Sequence, residues 1–149
     1  MGFFFAFVRI RTWYTLSMKI NKIIETAIYC DDVAEMVNFY KTVLGLELLR
    51  ESSERSAFFS CGESVLVIFN RSSSVGEGRF APSHGAVGAG HIALEVDNGT
   101  LENWKKIFEE NSIAIEKEIS WEHSEAKSIY FRDPANNSIE LAEKKLWNI

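Results

Sequence analysis

Glu25, His91 and Glu140 are the residues of this sequence whose types and placement point to chemistry. Two carboxylates and an imidazole form a donor set for one divalent first-row ion, the carboxylates favouring Mn²⁺ or Fe²⁺ and the imidazole also admitting Zn²⁺ or Ni²⁺. Strand parity predicts that the three converge. Side chains at i and i+2 share a face of a strand. Thr26, Ile28 and Cys30 fall on one face of a first strand, and Ile92, Leu94 and Val96 on one face of a later one; both sets belong under helices. The opposite faces carry Glu25, Ala27 and Tyr29, then His91, Ala93 and Glu95. On the last strand Ser138, Glu140 and Ala142 alternate with the apolar Ile139 and Leu141. Two carboxylates aimed into one concavity call for a cation, because burying an unpaired carboxylate costs on the order of several kcal/mol. Three protein ligands leave coordination positions open for substrate oxygens, as in a catalytic rather than a structural site.

The elements that must position these residues repeat. Ile23 to Cys30 reads as a strand, and Asp31-Asp32 as a turn and N-cap. Val33 to Leu44 carries Val33, Met36, Val37, Tyr40, Val43 and Leu44 at amphipathic helix spacing, closed by Gly45. Short strands follow at Leu46 to Glu51, Ala57 to Ser60 and Ser64 to Phe69, the last two joined by the tight turn Cys61-Gly62-Glu63. Asn70 to Gly90 is rich in Ser, Gly and Ala, has no periodicity, and reads as a linker. The pattern then returns: Glu25 to Asp32 lines up with His91 to Asn98 at an offset of 66 residues. A second helix at about Leu101 to Glu110 is capped by Asn111 as Gly45 caps the first. Phe58-Phe59-Ser60 is answered by Tyr130-Phe131-Arg132, and Ser64-Val-Leu-Val by Ser138-Ile-Glu-Leu. The chain is an α+β duplication of a βαβββ unit. The modules span about 22–69 and 88–143, the linker 70–87, and the whole unit 21–149 behind an N-terminal extension, 1–20.

"ETAIYCDDVAEMVNFYKTVLGLEL", "GAGHIALEV" and "YFRDPANNSIELAE" resemble the two opening strands and the closing "FRDPxGNxxEL" hairpin of the vicinal oxygen chelate superfamily, the glyoxalase, bleomycin-resistance and dioxygenase group. The resemblance covers roughly residues 22–143. It implies a half-open, eight-stranded cleft with one divalent metal at its base, ligated from the positions of Glu25, His91 and Glu140. Glu25 and Glu140 would then also be the catalytic carboxylates. Departures from the family bear on the reaction. Members with glyoxalase I or methylmalonyl-CoA epimerase activity use a fourth ligand from the last strand of the first module, read here as Leu66, which cannot coordinate. Extradiol dioxygenases and fosfomycin-resistance transferases begin with His where this chain has Glu25. The resemblance therefore implies a metal-dependent enzyme for a small oxygen-rich substrate, of isomerase, lyase or oxygenase type. The alternatives are a metal-free, drug-sequestering protein like the bleomycin-resistance members, and a binding module without catalysis.

Candidate substrate-binding residues are Tyr29 and Glu95, further along the inward faces, where either can equally fill the cleft wall. His84 in the linker is either a proton shuttle near pH 7 or a surface residue. Trp121 is either an aromatic wall or ordinary packing. Arg132-Asp133-Pro134 reads as a structural hairpin feature.

Composition bounds the rest. With 149 residues, 46% apolar and 25% charged content and a net charge of −5, the chain suits one compact domain and lacks the basic patch that nucleic acid requires. Cys30 and Cys61 form no CxxC pair and suit a reducing, cytoplasmic setting. The apolar run Gly2 to Val8 is too short for a membrane span, and Arg9 and Arg11 follow it rather than precede it as in a secretory signal. Met18 is the expected natural start, with residues 1–17 an upstream arm. The family commonly pairs, and Phe3, Phe4, Phe5 and Phe7 would otherwise meet water, so a homodimer is expected.

Overall fold

The computed structural model describes residues 19–52, 54–75 and 81–147. The expectations about the N-terminal arm and a start at Met18 lie outside them. The first module comprises β1 (Glu25–Cys30), α1 (Val33–Thr42), β2 (Glu47–Ser52), β3 (Ser56–Cys61) and β4 (Ser64–Asn70). The short α2 (Arg71–Ser74) follows. The second module comprises β5 (His91–Val96), α3 (Leu101–Glu110), β6 (Lys117–Trp121), β7 (Ala126–Arg132) and β8 (Ser138–Glu143), with a closing 3₁₀ turn at Lys144–Leu146. Two four-stranded sheets result, ordered β1-β4-β3-β2 and β5-β8-β7-β6. In each, the opening strand pairs in parallel with the last. The fold is α+β, and the duplicated βαβββ order is present.

One hydrophobic core joins the modules. Ile28, Cys30, Leu66 and Ile68 from the first sheet and Val96, Ile139 and Leu141 from the second are all buried in it. Phe131 on β7 touches Phe39 of α1 at 6.3 Å and Phe108 of α3 at 4.5 Å between ring centroids. Thr26 shares the parity of Ile28 but remains exposed at the start of its edge strand.

Helix ends follow local chemistry. The Asp32 carboxylate accepts the Glu35 N–H at 3.0 Å, capping α1. That helix ends at Thr42, two residues short of Leu44, because Gly45 at φ +69° turns the chain so that the Leu46 N–H meets the Tyr40 carbonyl. After α3 the left-handed residue is Ser112, at φ 56°, rather than Asn111, whose side-chain amide donates to the Ile107 carbonyl. The linker is not structureless throughout. Asn70 Oδ1 accepts the Ser72 and Ser73 N–H groups and starts α2.

The register corrects one residue assignment. Ala27 pairs with Val67 and Val67 with Phe58, whereas Ala93 pairs with Glu140 and Glu140 with Tyr130. The first-module counterpart of Glu140 is therefore Val67. Leu66 points the other way and belongs to the shared core. A one-residue slip in a strand moves every side chain to the opposite face. Valine coordinates no better than leucine, so the first module still offers no ligand there.

Candidate metal centre

β5 and β8 lie side by side, with His91 opposite Ser138 and Ala93 opposite Glu140. This puts the two ionisable groups diagonally adjacent on the face of the second sheet away from the core. His91 Nε2 lies 3.5 Å from Glu140 Oε2. The imidazole's other nitrogen, Nδ1, is 3.0 Å from the Ser138 carbonyl. A carbonyl only accepts, so Nδ1 donates to it, and Nε2 is the nitrogen that faces the carboxylate. This is how a metal-binding histidine is oriented: one nitrogen anchored to an acceptor, the other free to coordinate.

Glu140 is 5% exposed, and its Oε1 is buried with no hydrogen-bond partner among the described residues. Such an orphaned carboxylate oxygen costs roughly 1–3 kcal/mol or more, a cost that a cation at that point would remove. Tyr130, opposite Glu140 on β7, stacks on His91 with ring centroids 6.2 Å apart. Burial and a hydrogen bond to Glu140 push its hydroxyl up to about 12. The phenol therefore keeps its proton beside the carboxylate at neutral pH. The donor chemistry and the orphaned oxygen fit a divalent ion held by His91 and Glu140.

Glu25 does not join them within one chain. It opens β1 opposite Val65 and is exposed, and no group of three or more His, Cys, Asp or Glu gathers as a metal cluster among the described residues. Tyr29 and His91 do line one cavity of about 140 Å³, together with Ala27, Gly88 and Asn137. The Tyr29 hydroxyl is 2.8 Å from His84 Nδ1, and the His84 ring meets Phe69 edge-on at 4.7 Å, so the linker histidine is docked on the first sheet. Glu95 is exposed and lines a different cavity, about 250 Å³, with Thr26, Leu66 and Leu94. Trp121 shares the face of Glu140 further along the sheet. Its indole N–H donates to Ser128 Oγ at 2.8 Å, and its ring packs on a small cluster of Ala126, Ala142 and Leu146.

Two residues of the centre escaped sequence reasoning, Tyr130 and Asn137. Parity on β7, alternating with the core residues Ile129 and Phe131, was the available signal for Tyr130. Asn137 carries no periodicity; it lies in the turn before β8 and is 1% exposed.

The chain belongs to the Glyoxalase/Bleomycin resistance protein/Dioxygenase superfamily, whose family model matches residues 22–141. Among solved structures it is similar to lactoylglutathione lyase from Agrobacterium tumefaciens, with TM-score 0.82 and 37% identity over 87% of this chain and 98% of that one. Among curated proteins it is 28% identical over 110 residues to metallothiol transferase FosB of Staphylococcus haemolyticus (strain JCSC1435), covering 74% of each chain. The fosfomycin resistance protein FosX from Listeria monocytogenes shares the fold, with TM-score 0.64 at 19% identity over 86% of this chain and 97% of that one.

Proposed function

We propose that this chain is a metal-dependent enzyme of the superfamily, acting on a small substrate that presents neighbouring oxygens. The observation that carries the reading is the buried Glu140 carboxylate, one oxygen facing a correctly anchored His91 and the other without a partner. A divalent ion bound there would supply Lewis acidity to polarise substrate oxygens and stabilise an enolate or oxyanion. His91 contributes Nε2, Glu140 contributes Oε1, and Tyr130 fixes the carboxylate by donating to it. Glu25, exposed on its edge strand, is the third ligand or the base that moves a proton. Tyr29, His84, Glu95 and Trp121 are proposed to contact substrate. The metallothiol transferase relative supports metal dependence. The protein is proposed to act as a homodimer in the cytoplasm, where Cys30 and Cys61 stay as thiols; a monomer by light scattering at micromolar concentration would overturn the pairing. No helix among the described residues is long and apolar enough to cross a membrane.

Metal analysis of freshly purified protein tests the central claim. About one divalent ion per chain is expected, lost in Glu140→Ala; stoichiometric metal retained by that variant would remove Glu140 from the site. Turnover of the methylglyoxal–glutathione hemithioacetal is expected to be slow, because Val67 offers no first-module ligand to balance Glu140. The metal-free alternative draws on the aromatic set Tyr29, Phe58 and Phe69 on the first sheet. It predicts tight binding of an aromatic compound by chelator-treated protein.

A further inference from the structure

Asn137 makes more directed bonds than a turn residue needs. Its Oδ1 accepts the Gly90 N–H at 2.9 Å, its Nδ2 donates to Asp133 Oδ2 at 2.8 Å, and its backbone N–H donates to Asp133 Oδ1 at 2.8 Å. Nδ2 also comes within 3.5 Å of the Tyr29 carbonyl, a long contact that reaches β1. Asp133, 4% exposed, takes a further bond at 3.0 Å from the hydroxyl of Tyr40, a fully buried residue of α1.

The two residues held by this network flank the proposed metal ligand. Gly90 immediately precedes His91. Ser138 follows Asn137, its N–H donates to the Gly90 carbonyl at 2.8 Å, and its own carbonyl holds His91 Nδ1. The Asn137 side chain thus fixes both the backbone from which the imidazole projects and the acceptor that sets its tautomer. Only an amide of this length meets the demand, presenting an acceptor to Gly90 and a donor to Asp133 from one buried position. Aspartate would set two carboxylates against each other, and serine would fall short of at least one partner.

We infer that Asn137 is the positioning residue of the metal centre, and that through Asp133 and Tyr40 it ties the orientation of His91 to the first module's helix. The inference rests on the proposed role of His91 as a ligand, and its test has a metal-free arm for that reason. Removing a partner that orients a metal ligand typically weakens metal binding about 10–100-fold. Co²⁺ alone is titrated into wild type, Asn137→Ser and Gly90→Ala. The last is chosen because a Cβ at residue 90 would stand 3.1 Å from Asn137 Oδ1 and crowd the amide. In parallel, long-range ¹⁵N–¹H spectra of the metal-free proteins read the tautomer of His91.

Wild type should show a single tautomer protonated at Nδ1. Asn137→Ser should show a mixture, Co²⁺ affinity lowered about 10–100-fold and altered visible bands, with Gly90→Ala between the two. Loss of fold stability alone would move none of these spectra in a protein that stays folded by circular dichroism. A folded Asn137→Ser with wild-type tautomer and Co²⁺ spectrum would overturn the inference. If that variant does not fold, wild-type behaviour of Gly90→Ala would do so. Failure of wild type to bind Co²⁺ would sink the metal reading and leave the tautomer comparison to decide the role of Asn137.

Discussion

The two sheets present the same lattice of positions with different chemistry. Across the first runs Ala27, Val67 and Phe58; across the second, in the same register, run Ala93, Glu140 and Tyr130. One rung further out, Glu25 and Val65 answer to His91 and Ser138. The valine and phenylalanine of one copy thus stand where the other has a carboxylate and, opposite it, a phenol. Duplication supplied two equivalent frames, and the polar pair is present in only one. A buried carboxylate demands neighbours, and His91 and Tyr130 stand beside it only on the second sheet. The first sheet's face carries Phe69 instead, whose ring meets both Tyr29 and Phe58, an apolar aromatic wall.

The most direct way to break this comparison is to make the second face resemble the first. Glu140→Val should take bound metal from about one ion per chain to none. With chelator present, it should leave the melting temperature equal to or above that of the parent, because an orphaned buried carboxylate is replaced by a side chain that needs no partner. A fall of several degrees in the chelated protein would show that Glu140 is a structural acceptor, and the functional contrast between the sheets would fail.

The equivalent core aromatics give the next largest effect. Phe59 and Phe131 are both fully buried. Phe59 meets Tyr40, whereas Phe131 is wedged between helices of both modules through Phe39 and Phe108. Truncating a buried phenylalanine costs about 3–5 kcal/mol. Phe131→Ala should sit at the upper end of that range and Phe59→Ala at the lower, measured by urea unfolding. Equal losses would mean that the modules do not lean on Phe131 as a shared anchor.

Much of this arrangement is legible in the sequence because strand parity and helix spacing are local. The bounds of α3, the faces of β5 and β8, and the alignment of Glu25 with His91 follow from alternation alone. The register between strands is set by turns, on which alternation within one strand is silent. Four residues, Cys61 to Ser64, separate the paired Ser60 and Val65, whereas five, Asp133 to Asn137, separate the equivalent Arg132 and Ser138. Aligning the serines Ser64 and Ser138 counts two extra residues in the second turn where the register has one, and swaps Leu66 for Val67. The docking of His84 on Tyr29 and the bonds of Asn137 are long-range, joining segments 55 and 108 positions apart, and no local pattern announces them.

A smaller difference lies at the helix N-termini. Asp32 caps α1 with its carboxylate, whereas Thr100 before α3 makes no side-chain capping bond and its hydroxyl donates to the Asp97 carbonyl at 2.7 Å. Losing a true N-cap costs about 1 kcal/mol. Asp32→Ala should therefore destabilise by about that much, and Thr100→Ala by less. The reverse order in thermal unfolding would show that the Thr100 turn bond outweighs the cap.

The helix C-termini give the finest distinction, and there the prediction is a gain. Both helices leave through a residue in the left-handed region: Gly45 at φ 69° after α1 and Ser112 at φ 56° after α3. Glycine adopts that conformation without steric cost, whereas a residue with a Cβ is disfavoured there by roughly 1 kcal/mol. The Ser112 backbone is nonetheless held in place. Its N–H donates to the Glu109 carbonyl at 3.1 Å and the next N–H, of Ile113, to the Phe108 carbonyl at 2.8 Å. The bonds that over-determine the turn are all main-chain and would survive loss of the side chain. Ser112→Gly should thus stabilise the protein, by somewhat less than the full relief because glycine also widens the unfolded ensemble. A rise of a few tenths of a kcal/mol is expected, roughly half the intrinsic penalty. Gly45→Ser, the mirror change, should destabilise by a comparable amount, since nothing lies within 4 Å of a Cβ at residue 45 and only the backbone conformation opposes it. Opposite signs for these two substitutions, read in the same denaturation assay, would show that the two turns are conformationally equivalent. A loss in both would mean that the Ser112 side chain makes a stabilising contribution of its own.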